Sequence, residues 1–218
     1  MLCLLFGGDA GAHGVDDSTR SFLTGVEGLQ IGPFLYIGAK HMVTGYDHLL
    51  FLFGVVFLLE RIRDVLVYVT LFTLGHSTTL LLGVLAGVEV NAYLIDAVIG
   101  LSVVYKGFDN LDGFRALFTF RPNPRWMVLG FGLIHGLGLA TKLQDFALPR
   151  ENLLGNLLAF NGGVELGQLL ALSLMLVVTG LWRGHASFAR ASWLTNTLLM
   201  TAGVILIIYQ LTGFALET

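Results

Sequence analysis

Six stretches of mostly apolar residues, each near the length of a membrane-crossing helix, recur along the chain at 33–59, 65–86, 92–111, 126–144, 153–182 and 193–214. A helix needs about 20 such residues to cross the hydrocarbon core of a bilayer. Inside lipid the backbone must satisfy its own hydrogen bonds, which restricts a spanning segment to a helix or a closed barrel. Runs of this length therefore predict an all-α fold: a polytopic membrane helix bundle of six transmembrane helices. Composition agrees. Of the 218 residues, 55% are hydrophobic and 12% are charged, where soluble domains carry about 25% charged residues. Mean hydropathy is +0.78. The reading divides the chain into an N-terminal segment, 1–32, and one transmembrane domain, 33–218.

The connections are short and polar, and Pro122, Pro124 and Pro149 fall within them, where they interrupt no helix. Lys and Arg mark the cytoplasmic side of a membrane protein. The first, third and fifth connections carry Arg61, Arg63, Arg115, Arg121, Arg125, Arg183 and Arg190, seven of the 12 basic residues. Those connections are expected in the cytoplasm, with both termini outside, in a multi-pass protein of the bacterial inner membrane. The sequence Ala10-Gly11-Ala12 has the A-x-A form of a signal-peptidase site. It suggests a signal-peptide remnant over 1–12, with His13 at the mature end. The net charge of −3 and the absence of a basic patch with interleaved aromatics exclude nucleic acid as a partner. With Cys3 the only cysteine, any metal must be held by nitrogen and oxygen.

Ionisable groups at membrane depth are costly and mark functional paths. In the first span His41, Asp47 and His48 form an H-x5-D-H pattern. On one continuous helix, seven positions turn about 700°, placing His41 and His48 on one face about 10 Å apart, with Asp47 to the side. The second span adds His76 followed by Ser77, and the fourth adds His135. The fifth adds Asn161, Glu165 and Gln168 along one face. All lie near the middle of their spans. A lone buried histidine is usually a hydrogen-bonded packing residue, but four histidines and two carboxylates at one depth point to a metal site or a proton relay. Asp96, nearer the outer surface, could guard an entrance, whereas Lys106 and Asp109 are expected to snorkel or pair. His13 and His185 lie outside the spans. Gly132-x-x-x-Gly136 and Gly163-x-x-x-Gly167 place small residues one turn apart, where helices can approach closely.

Four motifs in this order resemble the HupE/UreJ family of small membrane proteins. They are His41-x5-Asp47-His48 running into Leu49-Leu50-Phe51-Leu52; Phe72-Thr73-Leu74-Gly75-His76-Ser77-Thr78-Thr79-Leu80; Gly132-Leu133-Ile134-His135-Gly136-Leu137-Gly138; and Phe160-Asn161-Gly162-Gly163-Val164-Glu165-Leu166-Gly167-Gln168. The resemblance implies a nickel or cobalt permease associated with hydrogenase and urease maturation, with the H-x5-D-H motif essential to transport. One motif departs. The nickel-permease branch packs two histidines and a glutamate into one span, whereas His135 here is followed by Gly136-Leu137-Gly138-Leu139-Ala140. The chain is thus similar to the less characterised branch, with Glu165 on the next span as the candidate acid.

The functional expectation is transport or facilitated uptake of a divalent transition metal through an intramembrane site of His41, Asp47, His48, His76, His135 and Glu165, supported by Asn161, Gln168, Ser77 and Asp96. Imidazole and carboxylate suit nickel, cobalt, zinc and iron(II) alike, and the lack of thiolates argues against a Cu(I) site. The expected partners are the lipid bilayer, the ion, and a membrane complex or metalloenzyme-maturation protein. Two other classes fit the same residues. One is an intramembrane zinc-dependent hydrolase, with three histidines on zinc and Ser77 or Ser102 nearby. The other is a metal-binding accessory subunit of a membrane complex.

Overall fold

A computed structural model describes residues 28–118, 120–144 and 151–217. The suggested signal remnant, 1–12, and His13 lie outside the described residues. Every regular element among those described is a helix: α1 Ile31–Thr44, α2 Tyr46–Val56, α3 Ile62–Ala86, α4 Ala92–Asn110, α5 Gly113–Phe118, α6 Pro124–Gln144, α7 Leu153–Arg183 and α8 Ser187–Glu217. Pro124 opens α6, the position where a missing N–H removes no helical bond.

Four of these helices, α3, α6, α7 and α8, are long and apolar enough to cross a membrane by length and composition. The other two expected spans depart from that criterion for different reasons. Helix α4 has 19 residues but carries Asp96, Lys106 and Asp109, all buried. The first expected span is not one helix. It breaks at Gly45, whose ψ of 94° is extended, and α1 and α2 are each too short to cross alone. The Gly45 amide closes α1 on the His41 carbonyl, and the Gly45 carbonyl accepts from Leu49 N–H to begin α2. A Cβ at Gly45 would stand 3.0 Å from the His41 carbonyl oxygen and 3.1 Å from His48 Nδ1, so a side chain there would require these neighbours to give by a few tenths of an ångström.

The helices pair out of chain order: α1 with α7, α3 with α6, and α4 with α8. Glycine sets each contact. A Cβ on Gly163 would lie 1.9 Å from the Leu35 carbonyl oxygen, and one on Gly136 would lie 2.1 Å from that of His76. Gly100 and Gly203 face each other across α4 and α8, each hypothetical Cβ about 3 Å from the other's carbonyl oxygen. Two apolar clusters fill the interior. One gathers Phe34, Met42, Leu52, Leu80, Leu157 and Phe160. The second is built on Phe51, Phe72, Val103, Val128, Phe131 and Leu199.

Polarity runs opposite to that of a soluble bundle. Leu166, Leu170, Leu174 and Leu181 of α7 and Leu198, Ile205 and Ile208 of α8 face outward, while histidine, aspartate, asparagine and glutamine side chains are buried. Exposed leucine at this density belongs in lipid, and polar groups then find partners only inside. Arg183 illustrates the rule. Expected as a connection charge, it folds back so that Nη1 donates to the Leu59 carbonyl and Nη2 to those of Val56 and Phe57. It thereby bonds carbonyls at and just beyond the end of α2, where the helix itself supplies no donors.

Candidate metal centre

Four helices deliver one histidine each to a common point: His41 from α1, His48 from α2, His76 from α3 and His135 from α6. The ring of His48 is central. Its centroid lies 5.1 Å from that of His41, 5.9 Å from His76 and 4.9 Å from His135. The break at Gly45 is what brings His41 and His48 this close; one continuous helix would have held them about 10 Å apart along its axis. That expectation is corrected here. His48, His76 and His135 are each at most 3% exposed.

Two of the rings are oriented by acceptors. Asp47 Oδ1 lies 2.9 Å from His48 Nδ1 and also accepts the His48 backbone N–H at 2.8 Å. A carboxylate on Nδ1 leaves Nε2 as the lone-pair nitrogen, the arrangement found behind metal-bound imidazoles. His135 Nδ1 sits 2.7 Å from the Phe131 carbonyl oxygen, which can only accept, so there too the proton is on Nδ1 and the lone pair on Nε2. His48 Nε2 and both ring nitrogens of His76 are buried without a hydrogen-bond partner among the described residues. Buried polar atoms are nearly always bonded; orphans concentrated on imidazoles fit a soft-to-borderline cation.

No group of three or more His, Cys, Asp or Glu among the described residues is arranged to hold a metal ion as it stands. The rings are T-shaped to one another, with His48 at 75° to both His76 and His135. Their spacing nonetheless matches imidazoles sharing one ion, which sit about 5 Å apart centre to centre when each nitrogen is about 2.1 Å from the metal. Closing on an ion needs ring rotation, and His76 can turn without breaking a hydrogen bond. A cavity of about 10 Å³, lined by His41, Asp47, His48, Asp96, His135 and Lys142, adjoins the rings; that is room for one water-sized sphere.

Asp96 therefore reaches the rim of the centre, but paired. Lys142 Nζ donates to both of its carboxylate oxygens, at 3.0 and 2.8 Å. Lys142 is not among the residues singled out from the sequence. The available signal was helical register: Lys142 is seven residues after His135, on the same face of α6.

Glu165 does not join the histidines. It is exposed on α7 and lines a separate groove of about 370 Å³ with Thr73, Ser77, Asn161 and Gln168. Ser77 and Asn161 bond each other there, Ser77 Oγ donating to Asn161 Oδ1 at 3.0 Å and Asn161 Nδ2 donating back at 2.8 Å. Thr73 donates to Gln168 Oε1 at 3.0 Å. These polar residues join α3 to α7. Ser102 is spent on the Ile99 carbonyl. Neither serine is turned toward the histidine rings.

On its other side the centre is closed by aromatic rings. Phe51 and Phe72 lie 5.4 and 5.1 Å from the His135 ring, and Phe51 packs on Phe131 at 5.7 Å. Behind Phe51 and Phe131 opens a second chamber containing Lys106 and Asp109. These two pair at 2.8 Å, and Arg121 adds bonds of 2.6 and 2.9 Å to the same carboxylate.

A bundle of apolar-faced helices around buried imidazoles defines the class: a multi-pass helical membrane protein with a buried histidine cluster. The family model described as HupE / UreJ protein matches residues 18–218, and the chain belongs to that family. Membership associates it with nickel or cobalt transport, or with an accessory role in handling those metals. No curated protein and no solved structure matches the chain.

Proposed function

We propose that this protein carries a divalent transition metal ion across the bacterial inner membrane, with His41, His48, His76 and His135 as the ion's stopping point and Asp47 orienting His48. The observation that supports it most is the ring spacing of 4.9–5.9 Å around His48 together with the buried, unbonded nitrogens of His48 and His76. The ion is written as nickel, cobalt, zinc or iron(II), because imidazole does not separate them. A permeation site must release what it binds, and neutral imidazoles with one offset carboxylate meet that need better than a cage of thiolates or acids. In this reading α1 and α2, interrupted only at Gly45, together make the first crossing, and with α4 they complete six crossings with both termini outside. Passage beyond the cluster requires the Phe51, Phe72 and Phe131 rings to move.

Metal analysis of the purified protein, paired with ion uptake into proteoliposomes, tests the proposal. About one ion per chain and saturable uptake are expected, both lost in His48→Ala while the variant still folds and extracts in detergent. Stoichiometric metal without uptake would leave an accessory metal-binding subunit. Neither metal nor uptake would make the histidines packing residues.

A further inference from the structure

The chamber behind the Phe51–Phe131 wall has a volume of about 300 Å³ and is lined by Tyr68, Tyr105, Lys106, Asp109 and Arg121 among apolar side chains. Its charges do not balance. The Asp109 carboxylate is wholly occupied: Oδ1 accepts from Arg121 Nε, and Oδ2 accepts from both Arg121 Nη2 and Lys106 Nζ. One carboxylate thus faces two cations, one of them Lys106, only 9% exposed. Asp112, the next acid along the chain, is 61% exposed at its side chain, lies beside Arg115 and acts on Arg121 only through space, with no ion pair to it. An ion pair that merely tied α4 to the connection before α6 would need one cation. Arg121 meets the same carboxylate from the surface side, its own side chain 35% exposed, so Lys106, Asp109 and Arg121 leave one positive charge that Asp109 does not answer.

Hydrogen bonding is lopsided in the same sense. Lys106 keeps two N–H groups and Arg121 keeps Nη1 beyond their bonds to Asp109. The Tyr105 hydroxyl is buried with no partner among the described residues. Donors exceed acceptors, and the formal charge of Lys106, Asp109 and Arg121 together is +1. A divalent cation would be repelled here, so the chamber is a poor second stop for the ion that the histidines suit. Arginine and lysine converging with a hydroxyl on one pocket is the chemistry that holds phosphate oxygens. From this balance we infer that the chamber is a binding site for a phosphate group bearing one negative charge, either on an anionic lipid at the membrane interface or as free phosphate. The inference stands apart from the metal reading, since it uses no residue of the histidine cluster.

Equilibrium dialysis of delipidated protein against inorganic phosphate, alongside binding to nanodiscs of phosphatidylglycerol or phosphatidylcholine, tests it. One saturable phosphate per chain is expected, weakened at least tenfold by Arg121→Gln and several-fold by Tyr105→Phe. Tyr105→Phe removes only the hydroxyl and keeps the ring between Phe114 and Phe131, at 5.0 and 5.2 Å, so it decides the matter should Arg121→Gln fail to fold. Phosphatidylglycerol, but not phosphatidylcholine, displacing the bound phosphate identifies a lipid as the source; displacement by neither identifies free phosphate. Absence of saturable binding to both inorganic phosphate and phosphatidylglycerol, or binding indifferent to Tyr105→Phe, overturns the inference.

Discussion

Asp47 and His48 show how two adjacent residues can take different tasks in one centre. The Asp47 carboxylate turns the His48 ring by holding Nδ1 at 2.9 Å, so its charge acts on an ion through the imidazole. Asp47→Asn keeps an oxygen in place and removes the charge. Metal affinity is expected to fall about 10–100-fold, as for other residues that act behind a ligand, against complete loss in His48→Ala; calorimetric titration with nickel or zinc measures both. Metal binding by imidazole requires the neutral ring, so protonation competes. Affinity is expected to be full at pH 8 and to fall as the pH is lowered and protons compete with the ion for the ring nitrogens. An affinity unchanged down to the lowest pH at which the protein stays folded would remove the histidines from the site. Glu165 gives the converse test. Because it lines a groove with Asn161 and Gln168 instead of the cluster, Glu165→Gln is expected to leave metal affinity within about threefold, whereas a ligand in the centre would behave like Asp47 or worse. Residue types were legible in the chain, since histidine and aspartate inside apolar runs announce themselves. Which of them meet was not: Glu165 and Asn161 are one helical turn apart on α7, yet they line a groove with Thr73 and Ser77 of α3 instead of joining the histidine rings.

At the scale of elements, two glycine devices build the centre. Gly45 divides the first span, and the break shortens the His41–His48 separation to 5.1 Å. Glycines in α6 and α3 then let those helices touch backbone to backbone beside His76 and His135. A Cβ at Gly136 would meet the His76 carbonyl oxygen at 2.1 Å, while Gly162 has nothing within 4 Å. Gly136→Ala must push α3 and α6 apart, costing roughly 1–3 kcal/mol and separating His76 from His135. A lower unfolding temperature in detergent and weaker metal binding are both expected. Gly162→Ala is the control, neutral or slightly stabilising by up to about 1 kcal/mol through improved helix propensity. Equal effects of the two would refute the role assigned to the α3–α6 contact. The G-x-x-x-G spacing signalled close approach in advance. It could not say which partner helix would be approached, nor that a helix would end at Gly45, because φ and ψ at a glycine are set by what packs around it.

For the whole molecule, the outward leucines of α7 and α8 and the inward polar groups describe a protein solvated by lipid. The distribution of arginines then predicts its orientation. Single cysteines at Glu89 and Arg115, in a Cys3→Ser background, test this with a membrane-impermeant maleimide. Glu89→Cys is expected to react in intact cells and Arg115→Cys only after lysis; the reverse pattern would invert the topology and with it the direction assigned to the path.

The sequence by itself determined that the chain is helical, that it belongs in a bilayer, roughly where its helices lie, and that histidines sit within its apolar runs. Those are properties of short windows, in which hydropathy and periodicity decide the outcome. Tertiary structure alone decided that four rings converge while Glu165 stays outside, that Lys142 neutralises Asp96 beside them, and that Phe51 and Phe131 wall off a basic chamber. These depend on helices pairing out of chain order, as α1 does with α7 and α3 with α6. Such pairing is fixed by backbone contact between glycines and residues far along the chain, Gly38 against Phe160 and Gly136 against His76 among them, and no local pattern encodes it.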